Sequence, residues 1–199
     1  ISVVAGTGVY YSNISEPKKG TDKKQEEKAV VKEEIEETQQ EEKSYYPLTI
    51  KTIGPDGKEY ETVYEKQPEK VVAVYQGSVE TMLALGLEDK IAAVAGIEQP
   101  VLEEYQESFD KLKNLEEFTP SKETITAEEP DMIFSWVSYF EESTLGEPQE
   151  WLDQNVNVYI NTNTASEKDT LENEYKDIEN IGKIFQVEEK ARSEERRVG

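Results

Sequence analysis

The chain has 199 residues, a length that suits one or two domains, and it carries 44 acidic but only 22 basic residues. The net charge of −22 repels phosphate, which argues against a nucleic-acid partner and against adhesion to anionic lipid. Because the chain has no histidine and no cysteine, Ser-His-Asp and Cys-His catalysis, zinc or haem held by these residues, iron–sulfur clusters and disulfides are excluded.

Residues 1–15 form an uncharged leader whose first eleven residues are apolar or small. Such a run is typical of the end of an export signal or membrane anchor that begins upstream. It is too short to cross a bilayer alone, since that takes about 20 apolar residues. An ordinary buried strand is the alternative interpretation.

Residues 16–43 form a charged segment with 10 acids, 7 lysines and no aromatic side chain. Its few apolar residues cannot bury enough surface to offset chain entropy, which predicts a disordered linker. We expect this linker to tether a folded domain to a membrane. A charged interaction tail is the alternative.

Residues 44–165 have the pattern of a folded domain. Leu48–Ile53 and Glu59–Tyr64 flank a Gly-Pro-Asp-Gly turn at 54–57, which predicts a small hairpin. Four short apolar runs follow, at 71–75, 91–97, 132–136 and 156–160. Because each run is continuous rather than alternating, we expect strands buried on both faces of a parallel sheet flanked by helices. The predicted fold class is α/β, a Rossmann-like lobe.

The predicted helices alternate with these strands. One opens at Gly77 and Ser78 and ends at Gly86, where glycine favours a helix end. The others are predicted at 100–112, at 120–129 with Thr119 as N-cap, and near 147–154.

A final long helix is predicted over residues 166–191. Ser166 and Asp169 form its capping-box-like start, and apolar side chains from Leu171 to Phe185 lie on one stripe. No strand follows this helix, so we expect a second lobe to be missing from the sequence.

Residues 192–199 differ in composition from the rest of the chain. All three arginines lie here, at Arg192, Arg196 and Arg197, whereas the first 191 residues use only lysine. We predict that this segment is non-native sequence joined to a truncated reading frame. A genuine basic helix end is the alternative.

Four stretches of the domain carry a family resemblance: PEKVVAV at 68–74, VETMLALGL at 79–87, DKIAAV at 89–94, and PSKETI at 120–125 with EPDMI at 129–133. In this order they resemble the N-terminal lobe of ABC-importer substrate-binding proteins, in the class that serves ferric siderophores, haem and vitamin B12. NIGKIF at 180–185 and EEKA at 188–191 are similar to the start of the single helix between the lobes. The lipid-attachment cysteine and the second lobe of that family are not in this sequence.

The resemblance implies a monomeric solute-binding component on the extracellular face of the membrane or in the periplasm. It implies capture of a ferric siderophore, haem or a corrinoid between two lobes, followed by delivery to an ABC permease. No cofactor is expected beyond a ligand that is itself an Fe(III) complex. The resemblance also implies that Glu123 docks onto the permease; from the residues alone, Glu123 is a solvated acid in the first turn of a helix.

Ligands of open parallel sheets bind beyond the carboxyl ends of the strands, which makes the loops after the apolar runs the candidate site. Gly77 allows close approach of the backbone, and aromatic side chains there could form flat walls against a siderophore or a macrocycle. Merely packing the loops is the alternative role of these aromatics. The candidate ligand-binding residues are Tyr75, Gln76, Gly77, Ser78, Ile97, Glu98, Trp136, Tyr139 and Asn161.

Enzyme motifs are missing from the sequence, which has no P-loop, no G-x-G-x-x-G after the first strand of the sheet and no G-x-S-x-G. We therefore expect no catalytic activity and no resident metal. A membrane-tethered acidic α/β domain that binds a basic protein, without a small ligand, is the alternative function.

Overall fold

The computed structural model describes residues 44–198, so the predicted anchor at 1–15 and the predicted linker at 16–43 lie outside the described residues. Strands β1 (Leu48–Ile53) and β2 (Glu59–Tyr64) pair antiparallel as the predicted hairpin. The four other strands form one parallel sheet in the order β4-β3-β5-β6. They are β3 (Val71–Val74), β4 (Ile91–Ala95), β5 (Met132–Ser135) and β6 (Asn157–Ile160).

Seven α-helices are present in this part of the chain, with short 3-10 turns at Glu88–Lys90, Glu103–Tyr105 and Val137–Tyr139. The helices are α1 (Gln76–Ala84), α2 (Gln106–Phe109), α3 (Lys122–Ala127), α4 (Pro148–Leu152), α5 (Thr162–Ala165), α6 (Leu171–Ile184) and α7 (Glu188–Val198). None of the helices between residues 44 and 198 is long and apolar enough to cross a membrane.

The parallel sheet is covered on both faces. Met132, Phe134 and Tyr159 point to a core shared with the hairpin and with α6. Ile133 and Val158, their neighbours along the same strands, point to a second core on the opposite face. Alternate side chains of a strand occupy opposite faces, and here both faces are apolar, which explains the continuous runs in the sequence. The α/β prediction is confirmed.

The helix predicted over 100–112 is wrong. A 3-10 turn and the single turn of α2 occupy this region, and the chain then leaves helical geometry to run beside β4. There the N–H of Val94 donates to the carbonyl of Lys113 at 2.9 Å, and the N–H of Leu115 donates back to the carbonyl of Val94 at 2.9 Å. The segment thus satisfies backbone groups at the free edge of β4, a demand that a local pattern does not express.

The start and end predicted for α3 are also wrong. Its N-cap is Ser121, whose hydroxyl accepts from the N–H of Thr124 at 3.2 Å, and not Thr119. The helix ends at Ala127, two residues early, because Glu129 takes a positive φ of 51° before Pro130.

The single helix predicted over 166–191 is two helices. Thr170 caps α6 by accepting from the N–H of Asn173, whereas the hydroxyl of Ser166 donates back to the carbonyl of Thr162 and so closes α5. Gln186, with a φ of 56°, separates α6 from α7. Leu171 is 54% exposed and so lies outside the predicted apolar stripe.

The turn between α6 and α7 is held by residues from the other end of the described chain. The hydroxyl of Tyr45 donates to the carbonyl of Lys183 at 2.7 Å, and that of Tyr46 donates to the carbonyl of Ile184. The side-chain amide of Gln67 donates to the carbonyl of Phe185 at 2.6 Å. These bonds satisfy carbonyls that have no partner within α6.

Residues 192–198 continue α7. Arg197 donates to Glu194 at 2.7 Å within the helix, and to Glu104 at 3.1 Å across to the turn before α2. A non-native origin of this segment stays a prediction.

Candidate functional site

The carboxyl ends of the four parallel strands meet at one edge of the sheet, as the topology requires. Eight of the nine predicted ligand-binding residues gather at this edge through direct contacts. The ninth, Ile97, packs beside the core cluster of Ala73, Val79 and Val94. A ligand-binding role for these residues stays a prediction.

Tyr75, directly after β3, is fixed in an unusual backbone conformation. Its φ of 78° and ψ of 147° are rarely adopted by residues other than glycine. The N–H of Tyr75 donates to the carbonyl of Ala95 at 2.9 Å, so the conformation is held from β4. Strained backbone of this kind is typical of binding and catalytic sites.

An aromatic cluster stands on this loop. The rings of Tyr75 and Trp136 lie 3.6 Å apart between centroids at an interplanar angle of 41°, and Tyr139 lies 6.1 Å from Tyr75. Tyr75 and Trp136 are partly exposed, whereas Tyr139 is 7% exposed and packs beneath them. The Tyr75 hydroxyl donates to the carboxylate of Glu98. This bond is the larger cause, and desolvation the smaller cause, that raises the pKa of Tyr75 to about 12.

Gly96 belongs to this cluster, although it was not among the candidate ligand-binding residues predicted from the sequence. Its φ is +71°, and a Cβ atom there would lie 3.0 Å from the Tyr139 hydroxyl and 3.1 Å from the backbone of Tyr75. Only glycine fits both the backbone angle and the space. The signal in the sequence was a glycine near the end of the apolar run at 91–97.

Buried polar side chains connect the loops to one another. Gln76 accepts from the N–H of Gln99 at 3.1 Å and donates to Glu80 at 3.0 Å, which joins the loops after β3 and β4. Ser78 donates to Asn161 at 2.8 Å, which joins the loops after β3 and β6. Three of these predicted residues, Gln76, Ser78 and Asn161, are thus buried supports of the edge.

An open cleft of about 420 Å³ lies beside the aromatic cluster. Its wall includes the predicted residues Gly77, Trp136 and Asn161. Two acidic side chains, Asp169 and Glu174, also line the cleft. They were not among the predicted site residues, because they lie outside the strand-end loops. Residues 44–198 contain no group of three or more Asp or Glu side chains placed to hold a metal ion.

Asp177 on α6 is a buried carboxylate behind this edge. It accepts from the hydroxyl of Tyr159 at 2.8 Å and from the N–H of Thr162 at 2.9 Å. Burial raises the pKa of Asp177 to about 6, against the lowering effect of these donors. Nothing in the periodicity of the sequence indicated this residue.

Glu123 lies in the first turn of α3 and is exposed, as the sequence predicted. Because its side chain is exposed to solvent, the carboxylate is accessible to a macromolecular partner. A docking role stays a prediction.

The sequence profile of the Periplasmic binding protein family matches residues 71–198, which span all four parallel strands. The chain belongs to this family. Among curated members, it is 30% identical over 136 residues to the petrobactin-binding protein YclQ of Bacillus subtilis, covering 67% of this chain and 39% of YclQ. It is 24% identical over 146 residues to an uncharacterized ABC transporter substrate-binding lipoprotein, YvrC, of the same organism, covering 73% of this chain and 42% of YvrC.

A solved structure of a periplasmic binding protein from Veillonella parvula superimposes with a TM-score of 0.70 at 34% identity, covering 76% of this chain and 49% of that protein. The family resemblance and the lobe architecture expected from the sequence are therefore confirmed. The chain spans about two fifths of the length of the curated relatives that it matches.

Proposed function

We propose that this chain is the N-terminal lobe of a solute-binding protein that captures a ferric siderophore for an ABC importer. The observation that carries the proposal is the family match over residues 71–198. The aromatic cluster of Tyr75 and Trp136 at the carboxyl edge of the sheet adds support. The relative that binds petrobactin supports an iron-chelate ligand over haem or a corrinoid.

The chemistry of the edge suits a large, flat-sided ligand. Trp136 and Tyr75 offer adjacent partly exposed rings, and the neighbouring cleft of about 420 Å³ can take part of a chelate. Because the cleft is open, one lobe covers only one side of such a ligand. Tight binding needs burial of most of the ligand surface, so we expect the isolated chain to bind weakly.

Delivery to the permease is a further part of the proposal. We assign permease docking to Glu123, which is exposed in the first turn of α3. The apolar leader and charged linker would tether a monomer to the outer face of the membrane, or leave it in the periplasm.

Equilibrium dialysis against radioactively labelled metal chelates tests which ligand the chain binds. The panel contains ferric petrobactin, ferrioxamine B, haem and a cobalamin, with the full 199-residue chain at high concentration. We expect weak, selective retention of a ferric siderophore, which Trp136→Leu abolishes. Tyr60→Leu, an aromatic change on the hairpin, serves as the matched control and leaves retention unchanged.

Two results of the dialysis would contradict the proposal. Retention of no compound at any concentration overturns it in favour of an acidic protein-interaction domain. Sub-micromolar affinity of this single lobe would instead contradict the two-lobed mechanism.

A further inference from the structure

Asp177 is the centre of a buried hydrogen-bond network. Its side chain is on α6, and the residue is 2% exposed. Besides Tyr159, it contacts one residue twice: the hydroxyl of Thr162 donates to Oδ1 at 2.5 Å, and the N–H of Thr162 donates to Oδ2 at 2.9 Å. Asp177 therefore fixes both the backbone and the side chain of the first residue of α5.

From Thr162 the network reaches the candidate site in two directions. The preceding residue, Asn161, accepts from Ser78 at the start of α1. Two residues later, the hydroxyl of Thr164 accepts from the N–H of Val137 at 3.0 Å and donates to the carbonyl of Asn161 at 2.8 Å. Because Val137 directly follows Trp136, the loops after β3, β5 and β6 are all tied to the segment that Asp177 holds.

We propose that Asp177 is a positioning residue for ligand binding, which acts through Thr162 to set the placement of Asn161 and Trp136 at the site. The ligand part of this inference rests on the proposed function. The effect of Asp177 on the placement of Trp136 does not rest on the proposed function, and it can be measured without any ligand.

Protonation of Asp177 should weaken its hold on Thr162 and so the positioning of Asn161 and Trp136. The ionised carboxylate accepts from three donor groups, and a protonated one loses part of that capacity. The titratable groups that face it are Glu174 on the same helix, Tyr159 on β6 and, beyond Tyr159, Tyr64 on β2. Burial raises the pKa of both tyrosines well above the neutral range, so they stay protonated, while burial also raises the pKa of Asp177 to about 6.

The first test follows acrylamide quenching of Trp136 fluorescence in the full chain without ligand. Trp151 is 1% exposed and supplies a constant background. In the wild type we expect quenching to rise as the pH falls from 8 to 5, with a midpoint near pH 6. Asp177→Asn should show the high quenching at every pH. A merely structural Asp177 would lower the unfolding midpoint of the variant but leave quenching of the folded chain unchanged, which overturns the proposal.

Thr162→Val provides a second variant in case Asp177→Asn does not fold. It removes the 2.5 Å hydroxyl bond and keeps the carboxylate and the backbone bond. We expect a smaller change of the Trp136 signal in the same direction. An unchanged signal in a folded Thr162→Val chain argues against positioning.

The second test measures binding of ferrioxamine B by equilibrium dialysis. We expect Asp177→Asn to weaken retention about tenfold at pH 7.5, as the loss of a charged buried hydrogen bond implies. Equal retention by both chains overturns the positioning of the ligand site. If neither chain retains ferrioxamine B, ferric petrobactin or haem while the quenching result holds, the proposed function fails and the positioning of Trp136 stands.

Discussion

The hydroxyl of Ser78 donates to Oδ1 of Asn161 at 2.8 Å, across 83 positions of sequence. The two residues follow β3 and β6, which are not neighbours in the sheet, because β5 lies between them. The bond therefore bridges the end of the intervening strand, and it makes the carboxyl edge one connected surface rather than a set of separate loops.

Removal of this bridge should destabilise the fold. Ser78→Ala leaves the buried amide oxygen of Asn161 without its donor, which costs about 1–3 kcal/mol. Urea unfolding followed by circular dichroism measures the loss. The matched control is Ser108→Ala, which removes a bond from a partly buried hydroxyl to Glu88 and should cost less than about 1 kcal/mol. Equal free energies of unfolding for Ser78→Ala and the wild type would contradict the bridge.

A methyl group at Gly96 should displace the aromatic cluster. Gly96→Ala meets both a positive φ and contacts at 3.0–3.1 Å from Tyr139 and Tyr75. Gly57→Ala is the matched control, because Gly57 has a φ of +73° with open space around it. The control should lose about 1–2 kcal/mol from the backbone alone, and Gly96→Ala should lose more. Chemical denaturation measures the free energy of unfolding of both variants, and an equal loss of stability in the two would contradict the close packing around Gly96.

The stability of the chain should depend on the titration of Asp177. Its pKa in the folded protein, about 6, is higher than the usual 3.8, so folding favours the protonated form. This contribution is complete below about pH 4 and is lost as the pH rises through 6, by about 3 kcal/mol in all. The difference in unfolding free energy between the wild type and Asp177→Asn should therefore change between pH 4 and 7. A difference that does not vary with pH would refute the raised pKa.

Glu123→Ala should lower transport without changing ligand affinity, because the exposed carboxylate lies away from the cleft residues. The measurement is uptake of a radioactive ferric siderophore by cells that carry the full-length transporter, paired with dialysis of the purified protein. Glu172→Ala is the matched control, since Glu172 is also an exposed acid in the first turn of a helix. Unchanged uptake in Glu123→Ala would remove the docking role.

The sequence was most informative where a local pattern determines the structure. The hairpin strands were predicted to the residue because the alternation of Leu48–Ile53 and the turn glycine at 57 act within a few residues. The four buried strands were found within one or two residues from their continuous apolar runs. The rule that ligands bind beyond strand ends then supplied the nine candidate residues, eight of which lie together at the carboxyl edge, including Tyr75 and Trp136.

Long-range contacts explain what could not be predicted. The helix expected over 100–112 is only short turns, and the residues just after it, Lys113 and Leu115, bond to Val94 of β4. The local pattern of residues 100–115 does not indicate that β4 has a free edge. The sequence did not distinguish Asp177 from the other acidic residues among the 44, because its role depends on the hydrogen bond that it accepts from the N–H of Thr162. The role of Ser166 as the end of α5 similarly depends on a bond to a carbonyl that the pattern does not specify.

The bonds from Tyr45 and Tyr46 join the first described residues to the end of α6. Without the two tyrosines the carbonyl of Ile184 loses its hydroxyl donor, and the carbonyl of Lys183 keeps only the N–H of Gln186, at 3.2 Å. Local opening should consequently involve both segments as one cooperative unit. Hydrogen exchange of backbone amides near Tyr46 and in the turn at Gln186 would then proceed at a common rate, so that the segment before β1 and the turn between α6 and α7 open together.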